Sequence, residues 1–248
     1  DDGHSPVLAS VVPNCRVYDP AFAYELAVIV REGMQVMYGS DPQDVFYYLT
    51  LYNEPISMPS LPEGVEEGIL RGLYRFRSSP RAADRVAQLF ASGSAMGAAL
   101  AAQDLLAEHH GVAADVWSVT SYKALREDAL EVERWNRLHP LEPRRASYLD
   151  EALDGVAGPI VAVTDYMKAV PDQIGRFAPQ PFVALGTDGY GLSDTRASLR
   201  RYFEVDAGHI VVGALAALAE VGDGKGEEVA EAIRRYDIDP EAVNPQSV

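Results

Sequence analysis

Apolar positions near the start of the chain follow first the spacing of a strand and then that of a helix. Cys15–Tyr18 is predicted to be a short strand, and Asp19 followed by Pro20 is a typical helix start. The helical spacing continues to Gly39 through Leu26, Ile29, Val30, Gly33, Val36 and Met37. Residues 45–51 are β-branched and aromatic, which is typical of a second strand. The pattern therefore predicts a strand-helix-strand unit.

Two polar breaks interrupt the pattern after this unit. Residues 55–64 hold three prolines and a glycine, and residues 77–84 contain Ser78, Ser79 and Pro80 in a row. Such residues favour loops and turns because proline and glycine punctuate helices and strands. We therefore predict a domain boundary between these two segments.

Beyond the second break, strands and helices alternate regularly. The predicted strands are residues 86–90, 115–120, 160–163 and 182–185, and the predicted helices are residues 95–109, residues 198–203 and two closing helices around Leu215 and Ile233. Buried strands with little polar alternation, separated by helices, are typical of a mainly parallel sheet covered on both faces. The fold class is therefore α/β.

Composition and charge limit the classes of protein that this chain can belong to. The 248 residues are 48% hydrophobic and 23% charged, which is ordinary for a globular protein of one or two domains. A net charge of −16 repels phosphate backbones, and the 21 basic residues form no aromatic-rich stripe, so we expect no nucleic-acid partner. The longest apolar stretch, residues 21–30, is too short to span a membrane. The single cysteine, Cys15, fits a reducing compartment, and we expect the cytoplasm.

A glycine-rich segment, residues 186–196, lies between a predicted strand and a predicted helix, where ligands collect in open α/β sheets. Gly189 and Gly191 begin a dinucleotide-binding motif, but Asp194 occupies the position of its third glycine. We therefore interpret the segment as a structural crossover. Both glycines allow a positive φ, Asp194 or the serine before it can cap the next helix, and Arg196 can pair with a nearby aspartate.

The histidines do not form a metal-binding pattern. They are His4, His109, His110, His139 and His209, and no two of them are spaced to bind a metal from one helix face. His109 and His110 would point about 100° apart on a helix, and we interpret them as its solvated end before Gly111. We therefore expect no metal site.

Three other residues could carry chemistry, and a structural explanation is favoured for each. Ser94 lies in Gly-Ser-Ala-Met-Gly rather than in the Gly-x-Ser-x-Gly of a nucleophile elbow, which indicates a small turn. Cys15 is expected to be a small buried side chain rather than a nucleophile. Glu25, inside an apolar helix, must be paired, exposed or functional, and an exposed position is the interpretation we favour.

His4 is the candidate catalytic residue. It lies between Gly3 and Ser5 in a polar segment without apolar periodicity, and histidine titrates in the pH range that general acid-base catalysis needs. The alternative is an ordinary surface residue. The residues by themselves thus indicate a two-part α/β protein with an acidic surface and without a complete active site.

Eight short segments, in order along the whole chain, resemble those of one known family. They are Asp2-Gly3-His4-Ser5, Tyr18-Asp19-Pro20-Ala21-Phe22-Ala23-Tyr24-Glu25, Pro62-Glu63-Gly64, Ser118-Val119-Thr120-Ser121, Glu133-Arg134-Trp135-Asn136, Leu138-His139-Pro140, Thr164-Asp165-Tyr166-Met167-Lys168 and Leu185-Gly186-Thr187-Asp188-Gly189. The chain resembles the C-terminal quarter of the homodimeric bacterial pyruvate dehydrogenase decarboxylating component. An ordered series of this kind is far more specific than any single motif above.

The resemblance implies a thiamine-diphosphate enzyme of the transketolase superfamily. Such enzymes decarboxylate pyruvate and pass the two-carbon unit to the lipoyl group of a dihydrolipoyl acetyltransferase. Residues 1–76 would be the end of the pyrimidine-binding domain, residues 77–84 a linker, and residues 85–248 a transketolase C-terminal-like domain that builds the dimer. In this family an N-terminal domain binds the diphosphate and Mg²⁺, and the middle domain supplies the glutamate that activates the cofactor. The resemblance places both of these regions outside the present sequence.

The resemblance also bears on His4. The family has Gly-Leu-Gln-His immediately before the position of Asp1, and that histidine is an active-site residue, so His4 is implied to be its neighbour rather than its equivalent. We expect a fragment that is inactive without the N-terminal part of the same enzyme. Two alternatives stay open: a non-catalytic α/β dimerisation or binding module, and a related thiamine-diphosphate enzyme that acts on another 2-oxo acid.

Overall fold

A computed structural model of the protein describes residues 3–53 and 55–247. The described strands are β1 (Cys15–Tyr18), β2 (Phe46–Leu49), β3 (Tyr74–Arg77), β4 (Arg85–Ala91), β5 (Val112–Ser118), β6 (Ile160–Val163) and β7 (Phe182–Leu185). The described α-helices are α1 (Ser5–Ser10), α2 (Ala23–Tyr38), α3 (Glu66–Arg71), α4 (Met96–Leu105), α5 (Tyr122–Leu138), α6 (Tyr148–Ala152), α7 (Asp172–Gly175), α8 (Arg196–Tyr202), α9 (Ala207–Glu220) and α10 (Gly226–Arg235). A 3-10 turn, Gly93–Ala95, precedes α4, and a π-helical turn, Leu106–His110, follows it.

The first part of the chain forms the strand-helix-strand unit that the pattern predicted. β1 and β2 pair in parallel, with Cys15 opposite Phe46, and α2 connects them. A parallel pair needs such a crossover because both strands run in the same direction. The following residues, 55–64, form neither helix nor strand, as predicted.

The start of α2 differs from the prediction. The helix begins at Ala23, and Phe22 precedes it with extended backbone, so Asp19 and Pro20 are not its first residues. The carboxylate of Asp19 accepts hydrogen bonds from the hydroxyl groups of Thr50 and Tyr52 instead. The helix ends before Gly39, as predicted. The presence of Asp19, a residue type that often caps helices, therefore did not locate the helix start, because its side chain binds Thr50 and Tyr52 instead.

The second part of the chain is built on the mainly parallel sheet that the sequence predicted. Its strand order is β3-β5-β4-β6-β7, and β4 lies parallel to both β5 and β6, as β6 does to β7. The strands predicted at residues 160–163 and 182–185 are β6 and β7 with the same bounds. The consecutive parallel neighbours β4 and β5, and β6 and β7, are each joined by a helical crossover, as parallel strands require.

β3 is an edge strand that the sequence pattern had not predicted. It pairs antiparallel with β5, and the register shifts between Arg75 and Arg77. Its sequence, Tyr-Arg-Phe-Arg, alternates aromatic and charged residues, and this alternation was a usable signal for a strand. The larger sheet thus begins at Tyr74, ahead of residues 77–84, which we had predicted to connect the two domains.

Helices cover both faces of this sheet. Leu89 and Phe90 are neighbours in β4 and both are fully buried, although successive strand residues point to opposite faces. Leu89 belongs to a core cluster with residues of α4 and α9, whereas Phe90 belongs to a cluster with residues of α5, α6 and α7. The predicted two-sided covering is confirmed.

Within the described residues, the segment Arg196–Glu220 is long and apolar enough to cross a membrane when judged by length and composition. It consists of two helices, α8 and α9, rather than one. Ile210 and Leu218 of α9 have no exposed surface and pack in the cluster on one face of the sheet. Burial in the core therefore accounts for the apolar composition of this segment.

Candidate functional site

The carboxyl ends of strands from both sheets meet at one junction. Asp19 follows β1, Tyr52 lies just beyond β2, and Gly93 follows β4. The backbone N–H of Asp19 donates to the carbonyl of Thr120 at 2.8 Å, and the N–H of Gly93 donates to the carbonyl of Asp19 at 3.1 Å. Ligands of open α/β sheets bind outside the carboxyl ends of the strands. The junction is therefore the candidate functional site.

Two adjoining cavities open at this junction. The larger, with a volume of about 440 Å³, is called the junction cleft here, and its polar lining is Tyr52, Ser94, Asp165, Tyr166, Arg196 and Arg200. The smaller, of about 330 Å³, is called the apolar pocket, and it is lined by Phe22, Leu26, Ile56, Met58, Met96 and Leu100, among others. Leu51, Tyr52, Ser94 and Arg200 border both cavities.

Asp19 lies next to the cleft, where its backbone bonds to Thr120 and Gly93 join the two sheets and its side chain binds the loop after β2. Its side chain accepts a hydrogen bond of 2.5 Å from Thr50 Oγ1 and another from Tyr52 Oη. Burial raises the pKa of its carboxyl, and the nearby charge of Asp165 raises it further. The neutral acid is therefore favoured to higher pH than in a solvated aspartate.

Two tyrosines separate Asp19 from the cleft. Tyr52 donates to Asp19 and lies close to Tyr166, and both tyrosines line the cleft. Burial raises the pKa of both phenols, so they remain protonated at neutral pH and can donate hydrogen bonds. With the arginines they make the cleft rich in donors, while Asp165 is an acceptor, and such a lining suits a polar ligand or polypeptide segment.

Ser94 lies in the short turn that the sequence predicted. It belongs to the 3-10 turn after β4, and its Oγ donates to Asp165 Oδ2 at 2.8 Å. A serine nucleophile needs a base, such as histidine, that accepts its proton and is itself oriented by a third group. The contact of Ser94 with the Asp165 carboxylate has no such third group. The contact instead joins the ends of β4 and β6.

The glycine-rich segment, residues 186–196, connects β7 to α8 as a crossover. Gly189 has a φ of 83°, as expected, but the cap of α8 is Thr195, whose side chain accepts from the backbone N–H of Ser198. The prediction that Asp194 or the preceding serine caps this helix was therefore wrong. Arg196 donates to Asn53 Oδ1 at 2.7 Å, which connects the crossover to the loop after β2.

Asp188, at the start of this crossover, is held by the loop that follows β6. Its Oδ1 accepts the backbone N–H of Lys168 at 3.0 Å, and the ammonium group of Lys168 lies 3.7 Å from its other oxygen. These contacts link the carboxyl ends of two neighbouring strands. The aspartate therefore has a structural role next to Thr187, which lines the junction cleft.

Glu25 is fully buried, so the expectation of an exposed position was wrong. Oε2 accepts the backbone N–H groups of Ala21 and Phe22, at 2.6 and 3.1 Å. Oε1 accepts the hydroxyl groups of Tyr74 and Ser118, at 2.7 and 2.6 Å. Burial raises the pKa of this carboxyl, although all four hydrogen bonds oppose the shift. The apolar neighbours of Glu25 in the sequence were the available signal that a carboxylate here needed partners.

His4, the predicted catalytic residue, immediately precedes α1 and is exposed. Its carbonyl accepts the backbone N–H groups of Val7 and Leu8. The neighbouring Gly3 is buried and lines the junction cleft, so the segment reaches the candidate site through Gly3. A catalytic role for His4 stays a prediction.

The other single residues divide between confirmed and corrected expectations. Cys15 is buried, as expected, and burial raises the pKa of its thiol. His109 is exposed, but the side chain of His110 is only 6% exposed, and its Nε2 lies 2.9 Å from Tyr236 Oη. The expectation of two solvated histidines was therefore wrong for His110, because α10 covers it.

The described part of the chain contains no group of three His, Cys, Asp or Glu side chains that could hold a metal ion. These residues therefore contain no cluster of protein ligands that would by itself surround a metal ion. Mg²⁺ in a phosphate complex is held by one or two carboxylates together with phosphates and waters, and such a site needs no cluster of this kind.

Two family descriptions match the chain in sequence. Residues 72–206 match the transketolase-like C-terminal domain, and residues 1–59 match the middle domain of the pyruvate dehydrogenase E1 component. The first match covers more than half of the chain. The chain therefore belongs to the family of transketolase-like C-terminal domains.

Similar proteins of known name refine this assignment. The chain is 50% identical to the pyruvate dehydrogenase E1 component of Pseudomonas aeruginosa over 246 residues, which is 99% of this chain and 28% of that protein. It is 44% identical to the Escherichia coli protein of the same name, again over 99% of this chain and 28% of that protein. The chain corresponds to the C-terminal part of these relatives and spans about 28% of their length. The resemblance seen in the sequence is confirmed.

Solved structures share the fold. The transketolase of Leishmania mexicana superimposes with a TM-score of 0.60 at 16% identity, covering 91% of this chain and 28% of that one. A split-gene transketolase, described as an inactive β4 tetramer, superimposes with a TM-score of 0.53 at 20% identity, covering 88% of this chain and 62% of that one. These likenesses support the α/β architecture with its mainly parallel sheet.

Proposed function

We propose that the chain is the C-terminal part of a pyruvate dehydrogenase component that decarboxylates pyruvate on thiamine diphosphate and transfers the acetyl unit to a lipoyl group. The observation that carries this proposal is the identity of 44–50% to pyruvate dehydrogenase E1 components over nearly the whole chain. The partners proposed with it are the N-terminal part of the same enzyme, a second copy in a homodimer, and dihydrolipoyl acetyltransferase. The proposed compartment is the cytoplasm.

The cofactor is assigned to the rest of the enzyme. The described residues contain no group of three His, Cys, Asp or Glu side chains that could hold a metal ion, and the relatives are more than three times longer than this chain. Bound there, thiamine diphosphate would supply the carbanion-stabilising chemistry of decarboxylation. The role proposed for this chain is to position the junction cleft and the segment around His4 beside the cofactor site. The chain alone is expected to be inactive.

Reconstitution tests the proposal. The chain is produced alone and together with the remaining N-terminal part, and pyruvate decarboxylation and lipoyl acetylation are measured with thiamine diphosphate and Mg²⁺. We expect activity from the pair and none from either part. The mass of the assembly, measured by light scattering, shows whether the pair forms a dimer.

Three outcomes would contradict the proposal. Full activity of the chain alone would disprove its dependence on the N-terminal part. A pair that assembles but turns over no 2-oxo acid would favour the non-catalytic dimerisation module. Faster turnover of another 2-oxo acid than of pyruvate would keep the cofactor chemistry and change the substrate.

A further inference from the structure

A small cavity lies next to Asp19. Its volume is about 20 Å³, and the residues around it include Asp19, Tyr122, Lys123 and Tyr166. Asp19 directly follows β1 of the smaller sheet. Tyr122 is the first residue of α5, which packs on the larger sheet. The cavity therefore lies between elements of the two parts of the protein.

Two buried polar atoms near this cavity lack a hydrogen-bond partner among the described residues. They are Asp19 Oδ2 and Tyr122 Oη. Asp19 is 9% exposed and Tyr122 is 3% exposed, so bulk water does not satisfy them. The hydroxyl of Ser92 is close enough to lower the pKa of the Asp19 carboxyl, but its hydrogen is donated to Thr164 Oγ1 at 3.0 Å and is not available to Asp19 Oδ2. Buried polar atoms in folded proteins almost always have a partner, which is either protein or an ordered water.

The cavity has the size of one water molecule. A site needs roughly 10–15 Å³ of such volume to hold a water and two to four polar partners to retain it. The volume of about 20 Å³ leaves no room for a larger ligand. A metal cation is disfavoured because the ammonium group of Lys123, which borders the cavity, is bound by the carbonyls of Val12 and Cys15.

We propose that this cavity binds a single water molecule that bridges Asp19 Oδ2 and Tyr122 Oη. The bridge adds a hydrogen-bonded link between the smaller sheet and α5, next to the hydrogen bonds that Asp19 receives from Thr50 and Tyr52. A bridging water is nearly as favourable as a direct hydrogen bond.

The hydrogen-bonding capacity of the two groups suits a water in either protonation state of Asp19. A neutral carboxyl can donate from Oδ2 to the water, because Oδ1 already accepts two hydroxyl groups. An ionised carboxylate accepts from the water, which in turn accepts from Tyr122 Oη. Asp19→Asn retains an oxygen for Thr50 and Tyr52 and a donor for the water.

Removal of the Tyr122 hydroxyl distinguishes a bridged atom from an unpaired one. If the water is present, Tyr122→Phe removes one of its partners and should shift the unfolding equilibrium of the 248-residue chain about fivefold or more toward the unfolded state. If Tyr122 Oη is unpaired, the same change removes a buried unsatisfied group and should leave stability unchanged or increase it.

Tyr47→Phe is the matched control, because Tyr47 Oη is also buried without a partner among the described residues but does not border this cavity. We expect no loss of stability from it, and little loss from Asp19→Asn. A high-resolution crystal structure should show one water within about 3.2 Å of both atoms. An empty cavity, a direct bond between Asp19 and Tyr122, or equal effects of the two Phe variants would overturn the proposal.

Discussion

Replacement of Glu25 is expected to have the largest effect on stability of the changes considered for this protein. Its carboxylate accepts four hydrogen bonds, from the backbone of Ala21 and Phe22 and from the hydroxyl groups of Tyr74 and Ser118. All of these bonds are buried. They join the start of α2 to β3 and β5, and thus the two parts of the protein.

The expected magnitude follows from the number of donors. Glu25→Leu removes the acceptor of the two backbone N–H groups and of the Ser118 hydroxyl, whereas the Tyr74 hydroxyl can donate to Tyr24 Oη, 2.5 Å away. Each donor left unpaired costs about 1–3 kcal/mol, which gives about 3–9 kcal/mol in total. A whole domain is stable by about 5–15 kcal/mol, so we expect this variant to lose most of its stability. Glu25→Gln should cost about 1–3 kcal/mol, because its oxygen can serve the fixed backbone donors while the hydroxyl groups of Tyr74 and Ser118 rotate to accept its amide.

Urea unfolding of the variants, followed by tryptophan fluorescence and circular dichroism, measures these changes. Glu32→Gln is the control, because Glu32 lies on the same helix and is not fully buried. We expect the order of stability to be control, Gln variant, Leu variant. A Glu25→Leu protein within about 1 kcal/mol of the wild type would refute the reasoning, because three buried donors without an acceptor should cost more than that.

Burial of Glu25 also predicts that the free energy of unfolding depends on pH. Burial raises the pKa of Glu25, so the folded state binds its proton more tightly than the unfolded state, whose glutamate pKa is about 4.3. The stabilising effect of the proton is therefore complete below about pH 4 and is lost as pH rises through the folded pKa. Unfolding of wild type and Glu25→Gln across this range should show their difference in free energy shrinking toward higher pH. A difference that grows instead would mean that the pKa of Glu25 is lowered.

Urea unfolding also tests the junction at Gly93 and the ion pair at the start of β4. Gly93 has a φ of 48°, and a Cβ there would collide with Asp19 Oδ1, so Gly93→Ala should cost about 2–4 kcal/mol. Gly97→Ala, in open space on α4, should instead stabilise by about 0.5–1 kcal/mol, and equal effects would contradict the steric argument. Arg85 and Glu228 form two hydrogen bonds of 2.6 and 3.0 Å, and a double-mutant cycle should give a coupling of about 1 kcal/mol at pH 7. Arg85 lowers the pKa of Glu228, so this coupling should start to fall below about pH 4.3, the unfolded glutamate pKa, and be lost as pH falls through the lower pKa of the folded state; a coupling that does not change with pH would refute the ion pair.

Local sequence was sufficient for the elements whose stability comes from continuous apolar runs. β6 and β7 were predicted with their observed bounds, since Ile160–Val163 and Phe182–Leu185 are uninterrupted apolar segments bordered by polar or turn-forming residues. The C-terminal end of α2 was predicted because glycine is a poor helix former, and at Gly39 a Cβ would also collide with the carbonyl oxygen of Gln35. The family was also evident from the order of short motifs along the chain.

Only the tertiary structure determined which polar side chains find partners. Glu25 is 49 residues from Tyr74 and 93 residues from Ser118 in sequence, and Asp19 is 31 residues from Thr50. No local pattern indicates such pairs, because the spacing of apolar residues reports only which face of an element is buried. The strand order that brings them together creates the junction cleft. The sequence by itself therefore determined the class of fold and the family, and the packing of the two sheets decided the site.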